Sequence, residues 1–236
     1  MKVPEFDYKY LGQKWVACFD LLGFEGLTLS SHVDNLFSIY EECLTVAVTN
    51  AEPVENIAVA WVSDSFLFYS DDDSRKAFHA INRVACFFFD ELIDRQLPVR
   101  GALACDEFYA DKLNNVYLGK AFAQAYRCAE NSNWLGFVLA KSAEDKMKEL
   151  RVDATSRYRE WPVQFKKKES SRDYEVKSVF AYQIGPSSIN PAPGNNSCRS
   201  YLETLEKMQA DAPAKDKPKY VNAINFLKQV ADVRSQ

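Results

Sequence analysis

Two aspartates, Asp20 and Asp64, stand where carboxylates could do chemistry. Asp20 lies near the end of KWVACFDLL (14–22), an apolar, β-branched and aromatic run that reads as a buried strand and is broken by Gly23 and Gly26. Asp64 lies inside IAVAWVSDSFLFYS (57–70), where Ser63-Asp64-Ser65 splits two apolar runs and predicts a hairpin with a polar tip. If strand and hairpin are neighbours in one sheet, the two carboxylates meet at one edge. Two such anions repel strongly unless a cation neutralises them, and a divalent metal turns the clash into a site. Taken singly, each has a plainer reading: Asp20 caps a turn, and Asp64 is an ordinary hairpin-tip residue.

The elements that must position this pair follow from periodicity. Ser30-Ser31 and Asp34 predict the start of a helix running to about Val48, with Leu36, Phe37, Tyr40, Cys43 and Leu44 on one face. Asp71-Asp72-Asp73-Ser74 caps a second helix to about residue 94, whose Phe78, Ile81, Val84, Ala85, Phe88 and Leu92 have helical spacing. LPVRGALACDEFY (97–109) is the next strand, and VYLGKAFAQAYRCAE is a strand end running into a third helix. GFVLA (136–140), the surface helix KSAEDKMKEL, and the antiparallel pair WPVQFKK (161–167) and EVKSVFAYQI (175–184) follow. The order β-α-β-β-α-β predicts an α+β, ferredoxin-like palm with an antiparallel central sheet, two helices on one face and extra C-terminal helices. Pro, Gly, Ser and Asn crowd the segment after residue 185. The predicted organisation is therefore a catalytic domain over 1–185, a linker over 186–199 and a helical appendage over 200–236, with helices near 200–209 and 218–233.

Composition narrows the classes. A 236-residue chain with 47% hydrophobic residues can build one large core. A net charge of −4 disfavours a general nucleic-acid binder, though a phosphate pocket needs only local cations or a metal. Six cysteines without a C-x-x-C pair, and only two histidines, argue against structural zinc and for reduced, buried thiols. The opening MKVPEFDYKYLGQ has no apolar signal region, and no run approaches the ~20 apolar residues of a membrane span. A cytoplasmic, soluble protein without direct membrane insertion is expected.

Beyond these physical readings, FDLLGF (19–24) resembles the F-x-D-I-x-G-F signature of class III adenylate and guanylate cyclases. SDSFLFYS (63–70) resembles their G-D-x-x-x-x-x-F hairpin, with Ser63 replacing glycine. LGKAFAQAYR (118–127) resembles their G-x-x-V-N-x-A-x-R helix at Gly119, Phe122, Ala125 and Arg127. PVQFK (162–166) is similar to the late strand that supplies a phosphate-binding lysine. The resemblance covers about 15–185. It implies two Mn²⁺ or Mg²⁺ ions per site, held by Asp20, Asp64 and the backbone carbonyl of Leu21, which acidify a ribose 3′-hydroxyl and hold the triphosphate. It further implies a phosphate cradle from the N–H groups of Leu22, Gly23 and Phe24, transition-state stabilisation by Arg127, and outer-phosphate binding by Lys166, with Lys167 or Lys168 as alternatives. A head-to-tail homodimer is expected, since such cyclases draw the metal aspartates and the arginine from different subunits.

Three positions depart from the purine cyclases. Ala123 replaces the asparagine that accompanies the arginine, Ala60 aligns with the adenine-reading lysine, and Val116 aligns with the purine-reading aspartate. Loss of the base readers with retention of Asp20, Asp64 and Arg127 resembles the cyclases of bacterial Pycsar anti-phage systems. It implies UTP (or CTP) as substrate and a cyclic pyrimidine nucleotide that activates a separate effector. Trp61, Ser63, Arg100 and Tyr117 flank the expected base pocket, with Arg100 a candidate donor to a uracil carbonyl or else a satisfied strand-end arginine. The competing readings are a purine cyclase with a divergent pocket, an inactive cyclase-like interaction module, and another palm enzyme such as a polymerase or diguanylate cyclase.

Overall fold

The computed structural model describes residues 7–24, 33–51, 56–153, 157–167, 170–183 and 198–234. The strands are β1 (Leu11–Leu21), β2 (Ile57–Val62), β3 (Ser65–Ser70), β4 (Val99–Asp111), β5 (Val116–Gly119), β6 (Phe137–Leu139), β7 (Tyr158–Lys167) and β8 (Ser170–Tyr182). The helices are α1 (Val33–Ala51), α2 (Arg75–Asp94), α3 (Lys120–Asn131), α4 (Lys141–Glu149), α5 (Cys198–Asp211) and α6 (Lys217–Arg234). One sheet runs β2-β3-β1-β4-β6-β8-β7, with β5 paired to β4. The expected neighbourhood of strand and hairpin is present: β1 lies between β3 and β4, and Asp20 is registered against Ser65 on one side and Arg100 on the other.

The chain forms these elements for local reasons. Ser74 caps α2 by accepting the Ala77 N–H at 3.1 Å, and its own N–H donates to Asp72 at 2.8 Å, so the acidic run begins the helix as anticipated. The six apolar positions spaced along α2 are all buried. β1 is buried on both faces from Trp15 to Phe19 because each face carries helices. On one, Trp15, Ala17 and Phe19 pack with Phe66, Phe68 and Phe88 in the core shared with α1 and α2. On the other, Val16 and Cys18 pack with Leu67, Tyr69 and the small face Ala121 and Ala125 of α3. Alternation along the strand sends Asp20 to the α3 side. Gly101 is required by close packing: a Cβ there would lie 2.5 Å from Cδ1 of Phe19.

One feature differs from the expected layout. β6 pairs parallel to β4, not antiparallel, because the α3 crossover returns the chain to the same end of the sheet. The C-terminal helices pack on the catalytic domain. Leu205, Met208, Tyr220, Phe226 and Val230 belong to the main hydrophobic cluster, and the Phe226 ring meets Trp134 at 5.4 Å and Trp161 at 5.1 Å. The predicted linker falls almost wholly outside the described residues, as do Ser30, Ser31 and Lys168. Cys18, Cys43, Cys86 and Cys105 are buried free thiols and Cys128 is partly buried, in line with the reduced reading. Among the described residues no helix is long and apolar enough to cross a membrane.

Candidate active site

Asp20 and Asp64 line one cavity of about 780 Å³. The backbone brings them there: Leu21 N–H donates to the Asp64 carbonyl at 3.0 Å, tying the end of β1 to the hairpin tip. Ser63 adopts a left-handed φ of 56°, the backbone state a glycine would hold more easily, and the tip is braced by Trp61 Nε1 donating to the Ser63 carbonyl at 2.7 Å. Both carboxylates act on the same neighbours. Burial, reinforced by Asp20 and Asp64, pushes the Cys18 thiol up to about 12. The Tyr126 hydroxyl is raised by burial, by Glu130 and by the same two aspartates.

Asp20 already has one cation. Arg100, directly across the β1–β4 ladder, brings Nε and Nη2 to 2.6 Å from Asp20 Oδ2. Its third contact, Nη1 to the Ser132 carbonyl at 3.0 Å, places the guanidinium at the C-terminal end of α3, where the helix dipole favours positive charge. Arg100 is therefore held as a strand-end ion pair that engages three of its five N–H donors, and it still lines the cavity. Asp20 Oδ1 lies outside that pair, and Asp64 makes no ion pair among the described residues, its Oδ1 having only a long 3.5 Å contact from Ser65 Oγ.

This donor set fits a hard divalent ion. Among the described residues no three His, Cys, Asp or Glu side chains gather into a ready-made cage. Two carboxylates beside an open cavity nevertheless match ions such as Mg²⁺, which commonly take one or two carboxylates and complete their shell with water and substrate phosphates.

The remaining predicted residues divide. Leu21, Leu22, Gly23 and Phe24 line the cavity with the aspartates, and Gly23 has φ 74° with open space where a Cβ would sit. The Leu22 N–H does not face a ligand: it donates to the Pro98 carbonyl at 2.8 Å, which removes it from the predicted phosphate cradle. Ala60 and Tyr117 pack on the α3 side of the sheet, outside the cavity lining, with the Tyr117 ring 5.7 Å from that of Tyr69. Trp61 turns to the opposite face and stacks on Phe37 and Phe66 at 5.6 and 5.1 Å, partly buried against the main core. Arg127 is exposed on α3 together with Ala123, and Lys166 is half-buried on β7, four strands from β1; neither lines the cavity. Sequence reasoning missed the wall built by the α5–α6 turn: Met208, Asp211, Lys215, Asp216, Lys219 and Tyr220 all line it. The charged run DAPAKDKPK between two amphipathic helices was the available signal.

No family model matches the chain, and no curated protein matches it. Solved structures do resemble it. The non-canonical dimeric guanylyl cyclase domain of the RhoGC fusion protein from the aquatic fungus Blastocladiella emersonii superposes with a TM-score of 0.51 at 13% identity, covering 72% of this chain and 94% of that one. The adenylyl cyclase CyaB of P. aeruginosa gives 0.50 at 14% identity over 77% and 98%. The catalytic core of a rhodopsin-guanylyl cyclase with converted specificity, in complex with ATPαS, gives 0.50 at 13% identity over 72% and 96%. At such identities the likeness is one of fold: the chain has the class III nucleotidyl cyclase palm with extra helices.

Proposed function

We propose that the protein is a metal-dependent nucleotidyl cyclase, a phosphorus–oxygen lyase that converts a ribonucleoside triphosphate into a 3′,5′-cyclic nucleotide and pyrophosphate. The observation that carries this reading is the convergence of Asp20 and Asp64 on one cavity in a palm of this fold. Asp20, Asp64 and the Leu21 carbonyl would hold Mg²⁺ or Mn²⁺, which supplies Lewis acidity toward the 3′-hydroxyl and the phosphates. The chain's own residues do the rest. Arg100 holds Asp20 in place through the fork of two bonds to one oxygen. Gly23 leaves room for a phosphate to approach the backbone. Arg127, exposed and outside the cavity of its own subunit, would stabilise charge on the α-phosphate in the site of a second copy, which supports a head-to-tail homodimer.

Two readings of the base rest on different observations. The proteins of similar fold are adenylyl and guanylyl cyclases, which favours a purine triphosphate. Against it stand Ala60 and Val116, which offer no polar group where purine cyclases read the base, and these support UTP or CTP and a messenger role in anti-phage signalling through a separate effector. The engagement of Arg100 by Asp20 and the Ser132 carbonyl leaves only two of its N–H donors for a base, and with the likeness to purine cyclases the purine reading is the better supported. Incubation of the protein with Mn²⁺ and all four ribonucleoside triphosphates, with products separated by mass, decides both. A cyclic mononucleotide absent from Asp20→Ala and Asp64→Ala preparations supports the cyclase; no cyclic product from any triphosphate rejects it.

A further inference from the structure

The cavity that holds Asp20 and Asp64 is closed on one side by the turn between α5 and α6, and this turn is well anchored. Asp216 and Lys217 N–H groups both donate to the Pro213 carbonyl, at 2.8 and 3.2 Å. Just beyond it, Lys219 carbonyl accepts the Leu135 N–H at 3.3 Å, and Asn222 Nδ2 donates to the Asn133 carbonyl at 2.7 Å. Phe226 then locks α6 between Trp134 and Trp161. The backbone of the turn is thus fixed to the same segment, 132–135, whose Ser132 carbonyl fixes Arg100.

Charges along the cavity wall pair off unevenly. Asp20 is neutralised by Arg100, and Asp216 by Lys219 at 2.5 Å. What remains is Asp64, Asp211 and Lys215. Lys215 is exposed and, among the described cavity-lining cations, is the one without an ion pair. A triphosphate brought in by ions at Asp20 and Asp64 carries surplus negative charge on its outer phosphates. Neither Lys166 nor Arg127 of the same chain lines this cavity to receive it. A lysine ammonium on a flexible stem is a point cation suited to phosphate oxygens whose angle is not fixed.

We propose that Lys215 binds the terminal phosphates of the substrate within the subunit that carries Asp20 and Asp64, making the α5–α6 turn a wall of the substrate site. This rests on the cyclase reading for the substrate's identity, but phosphate binding can be read without turnover. Calorimetric titration of inorganic tripolyphosphate in Mg²⁺ buffer would compare the full chain with Lys215→Ala, Lys215→Arg and, as a control on the same turn but off the cavity wall, Lys217→Ala. Lys215→Ala should weaken binding about tenfold, with Lys215→Arg largely restoring it and Lys217→Ala unchanged. In turnover, Lys215→Ala should raise KM by a similar factor with a smaller effect on kcat, and pyrophosphate should inhibit it correspondingly less. Equal tripolyphosphate affinity in wild type and Lys215→Ala, or no binding to wild type, overturns the proposal. Binding that depends on Lys215 without any cyclic product would leave the phosphate site standing and reject the cyclase.

Discussion

Removing the Arg100 guanidinium should expose how the aspartate at the end of β1 is held. The Arg100 and Asp20 side chains are only 8% and 13% exposed, and Arg100 supplies two short bonds to one carboxylate oxygen. Arg100→Ala leaves that anion without its cation and frees the Ser132 carbonyl. Breaking a buried pair by deleting one partner costs about 3–5 kcal/mol, and the open cavity beside Asp20 lets water recover part of it, so about 2–4 kcal/mol is expected. For a chain of this size that lowers Tm by about 5–15 °C. Thermal and urea unfolding of wild type, Arg100→Ala, Asp20→Asn and the double variant measure it. The double variant should recover most of the loss, because the uncompensated charge is gone. Millimolar Mn²⁺ should stabilise Arg100→Ala more than it stabilises the double variant, since only the former keeps the Asp20 carboxylate. An Arg100→Ala protein that unfolds like wild type, or a double variant no better than the single, would refute the reasoning.

Three further outcomes are expected. Mixing Asp20→Ala with Arg127→Ala subunits, each inactive alone, should restore cyclic-nucleotide formation if one subunit lends its arginine to the other; verified heterodimers without activity would deny the sharing. Asp90, buried and, among the described residues, with Tyr182 donating to it at 3.0 Å, has its pKa driven well above its ordinary value by burial. A raised folded-state pKa means its favourable contribution is complete below about pH 4 and is lost as pH rises toward the folded value, by up to about 1.4 kcal/mol per pH unit. Asp90→Asn should therefore gain stability relative to wild type from pH 4.5 to 8, and a pH-independent difference in urea unfolding would contradict this. Gly119 precedes α3 at φ 146°, and a Cβ there would lie 2.4 Å from the Glu107 carbonyl oxygen; Gly119→Ala should cost about 2–4 kcal/mol by chemical denaturation and displace α3.

Much of the palm was legible because its signals are local. The run around Cys18 and Phe19 is too apolar for anything but a buried strand, and Ser63-Asp64-Ser65 interrupts a hairpin that could turn nowhere else. Adjacency of Asp20 and Asp64 followed from that order alone. The Arg100 pairing was less legible because it depends on register: only an offset placing residue 20 opposite residue 100 makes the ion pair. A lone arginine inside VRGALAC did carry a hint, since a buried cation needs an anion nearby. Trp61 and Ala60 could have been separated from sequence, because adjacent strand residues face opposite ways. Docking of α5 and α6 over the cavity could not, since an amphipathic face records that a helix packs and not what it packs on.

The wall formed by the α5–α6 turn also sets an order of events during synthesis. The first aspartate leaves the ribosome with β1, its arginine follows 80 residues later, and the Asn222 bond that secures the turn spans 89 residues back to Asn133. Contacts of such long range form late in folding. A nascent chain with its palm already paired therefore still has an open trough in place of a pocket until α6 has been made and has docked.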